Sequence, residues 1–344
     1  MVARNPDVKS SMLESFQPRL KPDGQLKSKS LTLKFVSTSD TTLATPDLLP
    51  VVTDAPCDTD TAFFDLREYW RSLESRSLGQ VVFYTDVITT TMTVFDGLLF
   101  SIPEGVGTIA IAGRQTGGKG RGGNAWLSPM GCAMFTLPLS LSLQSRLGQR
   151  VSLLQHMVGL AVVRGILKVP GYQHLNLRLK WPNDIYFGKE MKIGGVLVTS
   201  TTLGGNIYAT IGCGVNVDNS NPTVCINDVI RRHNLANPDL PDLEPLTPAQ
   251  VIGRTVTELE RLMDIFEAEG HEKFCQLYCD LWLHGGVRVK VRLENAVAES
   301  EGTIQGLDEY GFLSIRTDDK QTISVQPDGN SFDMMHNLVH FKTR

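Results

Sequence analysis

The chain has 344 residues, 33 of them basic and 37 acidic, for a net charge of −4, and 41% of it is hydrophobic. At about 100–200 residues per domain there is room for two folded units and a tail, and the negative balance argues against a protein held to nucleic acid by bulk charge while leaving open a small cationic pocket for phosphate. Six cysteines without a CxxC pair and seven histidines without HExxH spacing point away from a disulfide scaffold, a zinc site or a zinc protease, and leave the thiols as small, reduced, apolar groups.

Residues 1–60 are rich in Ser, Thr, Pro, Asp and Lys with little periodicity, which predicts a disordered leader. Arg4, Lys9, Arg19 and Lys21 would suit a mitochondrial presequence, but Asp7, Glu14 and Asp23 count against one, and the apolar core of a secretory signal is missing. From Thr61 the pattern changes. Phe63, Leu66, Trp70 and Leu73 recur at three-and-four spacing, one face of a helix. Strand-like runs follow at 81–85 and 107–112, with weaker ones at 134–139 and 177–181. Runs over 193–199 and 207–217 are joined through Gly204-Gly205, a hairpin signal. Residues 148–168 are largely apolar, as a helix packed on a sheet should be. The best membrane candidate, 151–169, carries His156, Arg164 and Lys168 and reads as a buried helix rather than a span.

Thr247-Pro248-Ala249-Gln250 is a capping box with proline at the first helical position. The helix it opens should turn Val251, Val256, Leu259, Leu262, Met263 and Phe266 inward and stop at Gly270. Past Trp282 the style shifts again: residues 287–293 alternate strictly, and turn signals stand at 308–311 and 327–329, so the last sixty or so residues predict a small β-barrel. The expected organisation is a leader over 1–60, an α+β domain over 61–283 and a β domain over 284–344.

The most informative stretch is residues 113–126, GRQTGGKGRGGNAW. Glycines let backbone approach a ligand and aim N–H groups at it, while Lys119 and Arg121 add fixed positive charge suited to phosphate. Residues 113–119 satisfy GxxxxGK, but Gly120 stands where a P-loop needs Ser or Thr. Residues 118–123 satisfy GxGxxG, but Ser128-Pro129 takes the place of the helix a dinucleotide fold requires. A flexible solvent loop is the bland alternative, set against the density of glycine, charge and tryptophan.

These residues carry a family resemblance. GKGRGGNAW (118–126), KWPND (180–184), KIGGVL (192–197) and GCGVNV (212–217) resemble four motifs of the biotin–protein ligases, in that family's order. The likeness runs from about residue 80 to the C-terminus. NSNPTVCIND (219–228) and PDGNSFDM (327–334) are similar to animal holocarboxylase synthetases in particular. The resemblance implies a core like that of class II aminoacyl-tRNA synthetases with an SH3-like β-barrel behind it. It implies activation of biotin by ATP to biotinyl-5′-AMP, with magnesium accompanying the nucleotide and no dedicated protein metal cage, and transfer to a lysine of the biotin carboxyl carrier domain of biotin-dependent carboxylases.

Residue by residue, the resemblance assigns catalysis to Lys192 and Arg121. It assigns biotin contacts to Thr90, Thr91, Gln115, Gly118, Arg121, Lys192, Gly195 and Gly212, and nucleotide contacts to Lys119, Gly120, Arg121, Trp126, Asn183, Asp184 and Asn216. This chain departs from the family at Lys119, where arginine is usual, and at Thr89 and Met92, which flank the threonine pair in place of Asp and Asn. On residue type alone Lys192 would be a surface lysine, Asn183 and Asp184 turn stabilisers, and the threonines a β-branched strand end. The reaction needs cations to bring two anions together and donors for a developing oxyanion, but no protein nucleophile. The resemblance further implies a monomer or homodimer in the cytoplasm, the mitochondrion or both. The alternatives are a lipoate ligase or octanoyltransferase on the same core, or a non-catalytic biotin-binding or regulatory module. DNA binding lacks its charge footprint, and no membrane partner is expected.

Overall fold

The structure, a computed structural model, describes residues 1–221, 223–292, 300–327, 330–333 and 338–341. A mixed sheet forms its centre. From edge to edge its strands are Val2–Ala3, Val81–Ile88, Thr108–Lys119, Cys132–Ser142, Asn206–Asn216, Met191–Leu203, Asp184–Phe187 and Leu177–Lys180, and Ala125–Ser128 pairs the end of Thr108–Lys119. The pair Val81–Ile88 and Thr108–Lys119 is parallel and the others are antiparallel. This hairpin-rich sheet, with most of its helices on one face and Pro6–Phe16 on the other, matches the α+β expectation. Two expectations shift. The run starting at 107 does not stop at 112 but continues as a strand through Lys119, so the first half of the glycine-rich stretch is sheet rather than loop. Asp184, expected at a turn, opens a strand.

The long hairpin turns at Gly204-Gly205 as predicted, with Leu203 opposite Asn206 and Gly204 at φ 61°, the left-handed geometry a two-residue turn requires. Along Asn206–Asn216 the alternation decides function. Ile207, Ala209, Ile211, Cys213 and Val215 are buried beneath the helices, and Gly212 and Gly214 fall on the opposite face.

The helix Leu154–Leu167 lies between this sheet and the helix Pro248–Glu269. With its preceding 3-10 turn it is long and apolar enough to cross a membrane by length and composition, yet 67% of that stretch is buried inside the protein, as its reading as a buried helix expects. It is apolar all round because it is enclosed all round, with Leu154, Met157, Val158, Leu160 and Val162 fully buried. The helix Pro248–Glu269 starts on the predicted box: Thr247 Oγ1 accepts from Gln250 N at 3.2 Å, and Gln250 Oε1 accepts from Thr247 N at 3.0 Å. It ends at Gly270, φ 82°. Its buried Glu258 accepts from Arg164 Nε at 2.6 Å and pairs with Lys168, so a carboxylate that would be costly alone is neutralised by the neighbouring helix.

The C-terminal sheet is six-stranded, in the order Thr322–Val325, Leu313–Thr317, Ser300–Leu307, Arg288–Arg292, Leu338–Phe341 and Asn330–Asp333. Arg288–Arg292 shows the predicted alternation, with Val289 and Val291 buried and Arg288 and Lys290 exposed; Leu293, Asp328 and Gly329 lie outside the described residues. The turn expected at 308–311 is built on Asp308, whose Oδ1 accepts from Tyr310 N and Phe312 N, both at 2.9 Å. It lodges in the first unit. Trp181 Nε1 donates to the Gly311 carbonyl at 3.2 Å, and a Cβ at position 311 would stand 2.7 Å from the His156 ring.

Residues 1–60 are not a disordered leader. Pro6–Phe16 is a helix capped by Asn5, whose Oδ1 accepts from Asp7 N at 2.8 Å. Gln25–Lys27, Thr32–Val36 and Leu48–Val52 form a small sheet, and Val2–Ala3 adds a strand to the central one. Met12, Phe16, Leu26 and Leu33 are buried in a second core completed by Phe83, Phe95 and Leu98. Val8, Met12 and Phe16 do recur every four residues, a short helical signal that the polar composition around it outweighed. They reach a core because residues 81–110 complete it.

Candidate active site

A cleft of about 1650 Å³ opens over the glycine-bearing face of the sheet. Several segments build it: Thr90 to Met92, Lys119 to Trp126, Lys180 to Asp184 and Lys192 on the walls, and Gly195 to Val198 with Gly212 to Gly214 on the floor. Phe312 and Pro327 of the C-terminal sheet close one side. At the crest of the second segment Gly122 and Gly123 sit at φ 64° and 79° with no atom near a would-be Cβ, a reversal that suits glycine. Floor glycines are required for a different reason. A Cβ at 214 would lie 2.4 Å from Trp126 Nε1, and one at 212 would lie 3.1 Å from Met92 Sδ. The indole therefore packs directly against strand backbone at Gly214.

One end of the cleft is neutral and polar. Thr90 and Thr91 are each 3% exposed. Gln115 Oε1 accepts from Thr91 N at 2.7 Å and from Thr91 Oγ1 at 3.2 Å, and Thr91 Oγ1 lies 2.7 Å from Thr136 Oγ1. Since the Thr91 hydroxyl proton is committed to Gln115, Thr136 is the donor to Thr91. On the other side Gln115 Nε2 donates to Ser128 Oγ at 3.0 Å, and Ser128 Oγ donates to the Trp126 carbonyl at 3.3 Å. The chain of bonds runs one way and leaves one Gln115 N–H to face the cleft. Such an end suits a small neutral ring carrying its own N–H and C=O groups.

The other end is cationic. Lys119, Arg121, Lys180 and Lys192 line the cleft against one carboxylate, Asp184, among the described residues. In a chain of net charge −4 this is a local reversal of sign that favours anions. Lys192 Nζ is 2.7 Å from Asp184 Oδ1 and 5.6 Å from the centre of the Trp126 ring. The hairpin between Asp184–Phe187 and Met191–Leu203 slips register between Ile185 and Tyr186, and the facing residue, Gly195, leaves the ion pair open to the cleft: a Cβ there would be 3.7 Å from Lys192 Nζ. Arg121 Nη1 donates to Asn183 Oδ1 at 3.3 Å, and Nη2 to the Pro327 carbonyl. Asn183 is itself fixed by donation from Nδ2 to Val196 O at 2.7 Å.

Other titratable groups around the cleft are neutral. Burial, reinforced by Asp184, pushes the Tyr186 phenol up to about 12. Burial raises the Cys213 thiol, and it raises that of Cys132 to about 12, so neither supplies a thiolate. Burial lowers His156 to about 4 and His284 to about 3; His284 Nε2 accepts from Trp181 N at 3.2 Å. Among the described residues no three His, Cys, Asp or Glu converge as a metal cage. A magnesium ion arriving on a nucleotide would keep phosphate and water oxygens as its ligands and would need no dedicated protein cage.

Most of the residues singled out in the sequence thus meet in one cleft. Two do not line it. Gly118 lies in the floor behind Gln115, where a Cβ would strike the Trp126 carbonyl at 2.4 Å. Asn216 is buried, and its side chain donates to Thr223 Oγ1 at 2.7 Å and accepts from Asn219 Nδ2 at 2.8 Å; it ties the following loop. Sequence reasoning missed Thr136, Ser128, Lys180, Phe312 and Pro327. A lone hydroxyl within an apolar strand was the available hint for Thr136; Pro327 stood out only as a turn signal and the start of a family-like segment, with nothing to direct it at the cleft.

Comparison with known proteins gives the same picture. The family model of the biotin/lipoate A/B protein ligases matches residues 84–217, and that of the biotin protein ligase C-terminal domain matches 284–336. The chain is 43% identical over 342 residues to the human biotin–protein ligase, covering 98% of this chain and 46% of that protein; it spans just under half of this relative. It is 33% identical over 289 residues to biotin–protein ligase 2 of Arabidopsis thaliana, covering 82% of this chain and 84% of the plant protein. The structure of the biotin protein ligase from Aquifex aeolicus in complex with biotin and ATP superimposes with a TM-score of 0.53 at 21% identity, over 72% of this chain and 97% of that one, a likeness of fold.

Proposed function

The chain belongs to the biotin–protein ligase family, and from that premise we propose that it activates biotin with ATP to biotinyl-5′-AMP and transfers the biotinyl group to a lysine of a biotin carboxyl carrier domain. The observation that carries this reading is the polarity of one cleft: a buried Thr–Gln network at one end, four cations around one carboxylate at the other, and a glycine floor between.

In the first half-reaction a carboxylate oxygen of biotin attacks the α-phosphorus of ATP and pyrophosphate leaves. Both reactants are anions. Arg121 and Lys192 lower the cost of bringing them together, and removing donors of this kind typically costs about 10²–10³ in rate. Lys192 is held by Asp184 in the free protein, so the incoming anions compete for it. Trp126, backed by Gly214, offers its free surface for stacking of adenine. Magnesium, carried in on the nucleotide, neutralises phosphate charge when bound. In the second half the acceptor amine attacks the mixed anhydride, its proton goes to Asp184, and AMP leaves with the bonding pair.

The test is to incubate the protein with ATP, magnesium and a carrier domain bearing one reactive lysine, giving biotin in one arm and lipoate in the other. Biotinylated carrier, with adenylate accumulating when the carrier is omitted, is the expected result. Acylation by lipoate alone would assign the chain to the lipoate branch, and no acylation in either arm would overturn the reading.

A further inference from the structure

We propose that the N-terminal unit is the seat of the segment 90–101 and thereby sets the affinity of the cleft for the vitamin ring. The inference rests on the reading of the cleft as a biotin site. The wall of that cleft nearest the polar end is thin. Thr90, Thr91 and Met92 belong to a single 3-10 turn, Thr91–Val94, followed by a second at Leu99–Ser101. Short turns of this kind hold little stability of their own.

What braces the segment comes from its far side. Val94, Phe95 and Leu98 point away from the cleft into a core shared with Phe16, Leu26 and Leu31 of the N-terminal unit; Phe95 is 1% exposed and Leu98 fully buried. Hydrogen bonds stitch the same contact. Lys29 N donates to the Asp96 carbonyl and Ser30 Oγ to the Asp96 carboxylate, both at 2.8 Å. Arg19 Nη1 donates to the Gly97 carbonyl and to Ser101 Oγ, both at 2.9 Å. At Gly97 the two backbones meet directly: a Cβ there would lie 3.3 Å from Lys29 N.

The position of Thr91, and with it the bond to Gln115 that orients the ring end, is therefore set on one side by the sheet and on the other by residues 16–31. The cationic end hangs on other elements: Trp126 on the strand after the glycine turn, Lys192 and Asp184 on the hairpin. Loosening the seat should weaken binding of biotin and leave binding of ATP intact. Arg19 and Ser30 act through the segment they hold and are positioning residues.

The double variant Arg19→Ala, Ser30→Ala removes three of these bonds at exposed positions far from the reacting groups. Steady-state kinetics should show KM for biotin raised about fivefold, the factor that corresponds to about 1 kcal/mol, with KM for ATP and kcat at saturating biotin within about twofold of wild type. Hydrogen exchange of the amides of residues 92–101 should quicken in the ligand-free variant. Arg19→Lys, which keeps a donor for the Gly97 carbonyl, should recover most of the biotin affinity. An unchanged KM for biotin, or equal rises for biotin and ATP, would overturn the proposal. Wild-type protein that never biotinylates its acceptor would sink the functional reading instead, and the exchange measurement would still decide whether the N-terminal unit seats the segment.

Discussion

Replacing Asp184 by Asn should separate the two halves of the reaction. Asp184 supplies the one negative charge among the described cleft-lining residues, 2.7 Å from Lys192. Four cations less one carboxylate leave a net charge of three; the variant leaves four. Bare attraction across such a distance amounts to several kcal/mol at an effective dielectric of about 20, but the Lys192 side chain is 40% exposed, and screened pairs of this kind contribute about 0.2–1 kcal/mol. The fold should therefore barely register the change, with Tm falling by no more than about 4 °C. Adenylation should hold within about threefold, because Lys192 is released from a competitor for the incoming anions. Transfer should fall by about 10²–10⁴, the usual worth of a positioned base. Pyrophosphate exchange reads the first half, and a single turnover from preformed biotinyl-5′-AMP to the carrier reads the second. Equal loss in both would show that Asp184 serves only to hold Lys192, and wild-type transfer would remove it from the chemistry.

Thr136→Val keeps the volume but withdraws the donor to Thr91 Oγ1. Leaving a buried hydroxyl short of a partner costs about 1–3 kcal/mol; KM for biotin should rise about tenfold while Thr136→Ser stays near wild type, as measured by initial rates. Gly214→Ala drives a methyl into Trp126 Nε1 at 2.4 Å and should raise KM for ATP more than KM for biotin, with tryptophan fluorescence reporting the displaced indole. Asp228 gives a pH signature. Despite burial that opposes ionisation, the Cys225 N–H and the Arg231 guanidinium hold its carboxyl at about 2, below its ordinary value. A lowered folded value means that its stabilisation is present above the ordinary carboxylate range and is lost as pH falls towards 2. The Tm gap between wild type and Asp228→Asn should therefore be constant near neutrality and close on acidification below about pH 4.

Much of the core was legible because its signals are local. The capping box at Thr247, the two-glycine hairpin and the alternation around Val289 each act within a few residues, and the structure follows them. The cleft was legible through Lys119, Arg121, Asn183, Asp184 and Lys192, whose residue types are unusual together. What escaped depends on distant partners. The N-terminal unit is ordered by Phe83, Phe95 and Leu98, which no window over residues 1–60 contains. Residues 113–119 carry the glycines of a loop, yet extend as sheet because Val87 and Ile88 pair Arg114 and Gln115 on one side and Trp126 pairs Gly118 on the other. Asn216 sits within a matching motif, but its side chain is used up by Thr223 and Asn219.

The turn at Asp308 carries a consequence for pharmacology. Trp181 donates to Gly311, Arg121 to Pro327, and Ser152 Oγ to the Tyr310 carbonyl at 2.6 Å, so the rim of the proposed nucleotide pocket is shared property of two folding units. A small molecule wedged into that seam would dislodge a binding arginine without resembling either substrate, and raising ATP or biotin would not readily outcompete it.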